Sequence, residues 1–396
     1  MRILHVLETL SPRYGGPAVL LPQLAKAQTT AGHEVVIATT TADHPRGIYH
    51  EPGWDTLADG TVKVFYASVD FAPLLVTRSL ATYLRRNIAE FDLVNVHGLY
   101  RFPTTYAASL ARRRGVPYVV IPHGSLDPYL YEKSTTGKLR LKRLYERMFT
   151  MPNLQAANAI HYTAEEERER VAFLNLQAPS FVVPNGLDWE PYRVLPPRGA
   201  LRSRWGLGEA PVVLFLGRLH VKKGLDLLIP AFDKVRRNEP DAQLVIAGPE
   251  NDDYGKSVRG WVTERGLDSI THFVGTLHGP DVRQAYVDAD VFALPSYTEN
   301  FGVAVAEAMA CACPVVISDQ VNIHAAISSA GAGLVTRCDI EETAEALQTL
   351  LRDAGRRVDM GRAGRQLVQE RYVWPAIVDA LTKEYEAAIE RSHTNS

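Results

Sequence analysis

Short apolar runs recur along the chain, separated by longer stretches that are apolar on one face only. Ile3 to Leu7, Val35 to Thr39, Val62 to Tyr66, Leu93 to His97, Tyr118 to Ile121, Ala159 to Tyr162 and Phe181 to Val183 have the length and β-branched content of strands. Ala18 to Thr30, stopped by Gly32, and Phe102 to Arg114 have helical spacing between them. The second half repeats the alternation. Strands are predicted at Val212 to Leu216, Leu244 to Ala247, Ile270 to Val274, Val291 to Leu294 and Val315 to Ser318. Helices are predicted at Leu225 to Asn238, Pro280 to Val287, Val303 to Cys311, Thr343 to Leu351, Arg356 to Arg371 and Pro375 to Ile389. Strand and helix in alternation is the pattern of an α/β fold with a parallel sheet. Pro184, Gly186, Pro191, Pro196 and Pro197 crowd the middle and mark a linker near 190–200. The expected architecture is two doubly wound, Rossmann-like parallel-sheet domains with a cleft between them. Their bounds are 1–190 and 191–372, followed by a terminal helix at 373–396.

The stretch from Leu294 to Ser318 organises the rest. It reads strand, polar loop, Ala-rich helix, strand. Glu299 falls in the loop after a strand's carboxyl end, where open α/β sheets bind ligands. Asn300, Phe301 and Gly302 follow it into the helix, whose amino-terminal N–H groups suit an anion. Glu307 lies about a turn and a half further on.

Other strand ends carry candidate chemistry. Gly217, Arg218, Lys223 and Gly224 follow the strand that opens the second domain. A guanidinium and an ammonium on a Gly-rich turn suit a dianion such as a pyrophosphate. The spacing is not that of a P-loop. Gly15 and Gly16 lie between the first strand and the first helix, where backbone approaches a ligand. His123 and Gly124 directly follow the buried strand Tyr118 to Ile121. The acidic turn at Gly248 to Asp253 is expected to be a solvated loop rather than a metal site.

Composition narrows the function. The chain has 396 residues and a net charge of −2, which argues against nucleic acid as its main partner. Three cysteines make no disulfide framework and no zinc spacing, as expected of a reducing compartment. The opening MRILHVLETL reads as a strand rather than a signal peptide. No apolar run approaches the ~20 residues of a membrane span. Lys138, Arg140, Lys142, Arg143 and Arg147 alternate with leucines, after Arg112 to Arg114. Such a stretch suits an anionic membrane surface, or else a solvated helix face.

Together these motifs resemble the group 1, family 4 glycosyltransferases of GT-B fold, over nearly the whole chain. Glu299 and Glu307 match the family's signature of Glu, seven residues, Glu. Gly217, Arg218, Lys223 and Gly224 match its basic pair, Gly15 and Gly16 its first loop, His123 and Gly124 its His-Gly. Trp374-Pro375 resembles the start of its terminal helix, which crosses back to the first domain. Asn300 departs from the Gly that many members carry. The wording HGSLDP, TENFG and VISDQVNI is most similar to bacterial enzymes that build exopolysaccharide or O-antigen chains.

The resemblance implies a metal-independent hexosyltransferase that retains configuration. Its donor would be a UDP- or GDP-linked sugar, its acceptor a saccharide or lipid-linked saccharide. It needs no cofactor. Arg218 and Lys223 would hold the diphosphate, Glu299 the sugar hydroxyls and Glu307 the ribose. Gly217, Asn300, Phe301 and Gly302 would bind the donor by backbone, and Gly15 and Gly16 would approach its phosphate. His123 would touch the donor sugar near the reacting carbon. A cytoplasmic enzyme in peripheral contact with the inner face of the plasma membrane is expected. Two alternatives share the fold: a nucleotide-sugar epimerase and a non-catalytic sugar-nucleotide-binding subunit.

Overall fold

The computed structural model describes residues 1–43, 47–57, 60–128, 136–250 and 253–394, with the backbone alone at 136–139 and 394. The chain divides into two compact units. One is Met1–Gly186 together with Trp374–Ser396; the other is Leu187–Val373.

The first unit holds β1 (Arg2–Thr9), β2 (Glu34–Thr40), β3 (Gly53–Leu57), β4 (Val62–Ala67), β5 (Leu93–His97), β6 (Tyr118–Ile121), β7 (Ala159–Tyr162) and β8 (Ser180–Val182). They form one sheet in the order β3-β4-β2-β1-β5-β6-β7-β8. Among the described residues of this sheet, only β3 runs antiparallel to its neighbour. Ile3, Leu4, Val6, Val94, Val119 and Val120 are sealed from water, so the central strands are buried on both faces. Each such aliphatic side chain stabilises the fold by about 1.5–3 kcal/mol. Helices Gly16–Thr30 and Trp374–Thr394 pack on each other within this unit. Gly186 leaves room for Trp374: a Cβ there would lie 2.3 Å from its Cε3.

The second unit holds β9 (Val212–Leu216), β10 (Gln243–Ala247), β11 (Thr271–Gly275), β12 (Val291–Leu294), β13 (Val315–Ser318) and β14 (Gly333–Thr336). Every neighbour in the order β11-β10-β9-β12-β13-β14 is parallel. The chain winds outward one way from β9 and the other way from β12. Their shared border is therefore the switch point at which such sheets bind ligands.

Several features differ from the sequence expectation, among them the helices Arg78–Asn87, Asp253–Glu264 and His324–Ala330, which were not expected. The basic stretch from Lys138 to Arg147 is not one regular helix: an α-helix over Thr136–Tyr145 widens into a π-turn at Glu146–Thr150 and resumes at Met151–Gln155. Pro152 has no N–H to give the turn before it, and the wider turn accommodates that loss. Edge strand β3 was not expected because its residues are largely exposed and show no apolar run. Strand β14 opens on Gly333, where a Cβ would meet the Val315 carbonyl oxygen at 2.4 Å.

Candidate active site

Two loops meet at the switch point of the second unit. The first leaves β9 through Gly217 and Arg218 and ends in the short turn Val221–Lys223, capped by Gly224. The second leaves β12 through Pro295 and carries Glu299 into the helix Val303–Ala310. The Tyr297 N–H donates to the Lys222 carbonyl at 2.8 Å, which ties the loops together. Gly224 lets them close. It sits at φ 70°, and a Cβ there would lie 1.9 Å from the Pro295 carbonyl oxygen.

That closure brings the Lys223 ammonium onto the Glu299 carboxylate as a hydrogen-bonded ion pair. The Glu299 backbone is clamped in turn: its N–H donates to the Gln320 carbonyl, and its carbonyl accepts from the Asn322 N–H. Arg218 stands exposed on the neighbouring loop and joins no ion pair among the described residues. Gly302, at φ 75°, caps the helix that follows, and Phe301 is buried beneath it. A guanidinium, an ammonium and a helix amino terminus thus lie on the two loops that leave the carboxyl ends of β9 and β12, suited to phosphate oxygens.

Glu307 is placed differently. It lies inside the same helix, where the Tyr286 hydroxyl donates to its Oε2 at 3.2 Å and Tyr192 also bonds to it. Burial pushes its carboxyl up to about 7, and the two tyrosines pull the other way. No hydrogen bond joins Glu307 to Arg218, Lys223 or Glu299 among the described residues. In the acidic turn, Glu250 is paired with Arg259; Asn251 and Asp252 lie outside the described residues.

Gly15, Gly16 and His123 belong to the first unit. Gly15, at φ 104°, precedes the first helix and has open space where a Cβ would be; Gly16 is that helix's first residue. His123 follows β6 in a left-handed conformation at φ 51°. The buried Glu167 carboxylate pins the next residue, accepting the Gly124 N–H at 2.7 Å and the Thr163 N–H at 2.8 Å. His123 lines a small, largely apolar hollow with His97, His161 and Trp374.

Sequence reasoning missed the residues behind His123. His97 Nδ1 lies 3.1 Å from His123 Nε2, and His97 Nε2 lies 2.8 Å from His5 Nδ1. The signal was present in the strands: polar His5, Asn95, His97 and His161 interrupt otherwise apolar runs on one sheet face. Glu8, at the end of β1, was also missed. Burial pushes its carboxyl up to about 7 against the opposing pull of Arg101, 3.6 Å away.

Two Rossmann-like parallel-sheet units are the architecture of the GT-B fold. The comparisons carry this to a family. The model described as glycosyl transferases group 1 matches residues 198–367, and that for glycosyltransferase family 4 matches residues 14–190. The chain belongs to the group 1 glycosyltransferases of family 4 type, and it is a transferase enzyme. The epimerase and non-catalytic alternatives are thereby set aside. One relative is a D-inositol 3-phosphate glycosyltransferase from Kineococcus radiotolerans, 31% identical over 257 residues. That match spans 60% of this chain and 59% of the relative. A GDP-mannose-dependent alpha-(1-6)-phosphatidylinositol monomannoside mannosyltransferase from Mycobacterium tuberculosis is 27% identical, over 96% of this chain and 97% of its own. Sucrose-phosphate synthase from Thermosynechococcus elongatus shares the fold with a TM-score of 0.78, at 21% identity and 98% coverage of both chains.

Proposed function

We propose that this enzyme moves a hexosyl group from a nucleoside diphosphate sugar to a lipid-linked saccharide, with retention at the sugar carbon and without a metal. GDP-mannose is the leading donor, because the full-length relative is named for it. The observation that carries the reading is the Lys223–Glu299 pair at the switch point, with Arg218 exposed beside it. Arg218 and Lys223 would take the diphosphate. Negative charge grows on that group as the sugar leaves, so fixed cations there lower the barrier. Glu299, oriented by Lys223, would accept from sugar hydroxyls. The backbone of Gly217 and of Asn300 to Gly302 would line the donor, and Glu307 would take the ribose. To the first unit the reading assigns Gly15 and Gly16 for phosphate, His123 for the sugar, and the acceptor.

A peripheral membrane contact belongs to the same reading. Leu141, Leu144, Met148 and Phe149 are exposed beside exposed Arg140, Arg143 and Arg147. Arg112 to Arg114 are exposed as well. No helix among the described residues is long and apolar enough to cross a membrane.

Thermal unfolding with GDP-mannose and with UDP-glucose tests the donor, since a ligand of the folded form raises Tm. The expected result is a rise with GDP-mannose, and GDP release once a mannosylated lipid acceptor is added. No rise with either donor, and no nucleotide release, would reject the proposal.

A further inference from the structure

Behind His123 three rings and an amide stand in series inside the first unit. His123 Nε2 meets His97 Nδ1 at 3.1 Å. His97 Nε2 meets His5 Nδ1 at 2.8 Å. His5 Nε2 meets Gln28 Oε1 at 2.8 Å. His5 and His97 are sealed, at 0% and 2% exposure. Burial holds all three rings neutral: His5 is pushed down to about 4, His123 to about 3, and His97 well below its ordinary value.

A neutral imidazole has one N–H and one bare nitrogen. A ring that donates on one side must accept on the other. Three such rings in series therefore share one direction, and whatever stands at the closed end sets it. Gln28 stands there. Its amide also bonds to the phenol of Tyr385, on the helix Trp374–Thr394, and Asn95 holds that phenol from β5. With the amide nitrogen spent on Tyr385, Gln28 turns its carbonyl oxygen to His5. A carbonyl only accepts, so His5 keeps its proton on Nε2 and leaves Nδ1 bare. His97 must then donate from Nε2, and His123 must donate from Nε2 in its turn. His161, beside them in the hollow, has the same tautomer for its own reason: its Nε2 faces the Val183 carbonyl at 2.7 Å.

We propose that Gln28, His5 and His97 are positioning residues that lock His123 as its Nε2–H tautomer, so that its Nδ1 is a hydrogen-bond acceptor for a substrate hydroxyl. The identity of that hydroxyl, one on the donor sugar, rests on the proposed function; the tautomer does not. In this arrangement His123 neither carries positive charge nor donates to a phosphate. It selects a sugar that bears a hydroxyl at that position over the deoxy analogue.

Histidine-selective 15N and 13C labelling tests the lock in the intact enzyme, in wild type, Gln28→Glu and Gln28→Leu. Wild type at pH 7 should show His5, His97 and His123 all protonated on Nε2. Gln28→Glu presents His5 with an acceptor when its carboxyl is ionised, and should keep that pattern at a pH where the 15N shifts show His5 still neutral. Gln28→Leu removes it, and His123 should become a mixture of tautomers while kcat falls by about tenfold. A wild-type His123 protonated on Nδ1 overturns the proposal, and so does a pure Nε2–H signal in Gln28→Leu. Should Gln28→Leu fail to fold, the wild-type and Gln28→Glu spectra decide alone. If the tautomers are as stated but His123→Ala turns over at the wild-type rate, the lock stands and the sugar assignment falls.

Discussion

The Lys223 ammonium rests on the Glu299 carboxylate, joining the loops that leave β9 and β12. The two residues are 76 positions apart in the chain. The pair is partly exposed, so its contribution to folding is small, in the usual range of about 0–1 kcal/mol. Its consequence is positional: a carboxylate aimed by a cation whose loop also carries the exposed Arg218.

Removing either cation should therefore affect turnover more than stability. Arg218→Ala and Lys223→Ala should each lower kcat by about 10²–10³, the loss typical when a charge-stabilising group is removed. Melting temperatures should stay near wild type. Steady-state kinetics with a saturating donor check this. Full activity in both variants would remove them from the mechanism.

Gly224→Ala should be severe despite its small size. The added methyl would meet the Pro295 carbonyl oxygen at 1.9 Å, on backbone at φ 70°. The strained conformation alone costs on the order of 1–3 kcal/mol, and the clash adds to it. Urea unfolding should show the lost stability, and activity should fall because the two loops no longer close.

Glu307 should make stability depend on pH. Its folded pKa of about 7 lies above the ordinary 4.5. Between these values the folded form keeps a proton that the unfolded chain has released. Stability from this site therefore falls as pH rises through that window, and the loss is complete above about 7. Glu307→Gln does not ionise, so it should gain on wild type by about 3 kcal/mol between pH 4.5 and 8. Glu8 has the same direction but is common to both proteins and cancels in the difference. Urea unfolding of both proteins at pH 5 and pH 8 checks it; an equal gap at the two pH values would contradict the buried carboxyl.

The exposed face from Arg140 to Phe149 should bind anionic vesicles in a salt-sensitive way. Replacing Leu144 and Met148 together with Ser should weaken binding through lost apolar contact. Raising salt should weaken it through screening, because the Debye length shortens to ~3 Å at 1 M. Vesicle co-sedimentation measures both. Binding indifferent to salt would leave no role for the arginines.

Much of this was legible along the chain. Strands β5, β6, β7, β9, β12 and β13 fall where the apolar runs predict them, because a strand buried on both faces is apolar along most of its length. The loops of the candidate site were legible for a related reason: Gly, charge and Asn cluster where such strands end. Edge strand β3 left no comparable trace, since one-sided pairing at a sheet margin asks little of its side chains. The π-turn at Glu146–Thr150 depends on how Pro152 is accommodated, which spacing does not show.

By itself, then, the sequence determined the two α/β halves, the loops that carry charge and the family to which the chain belongs. Those follow from local hydrophobic pattern and from motifs only a few residues long. The tertiary structure alone decided which side chains share a neighbour. It put Lys223 on Glu299, gave Glu307 its two tyrosines, and strung His123, His97 and His5 to Gln28 and Tyr385. These contacts join residues far apart in the chain. They exist because parallel strands bring their ends to one edge and because the last helix packs back on the first.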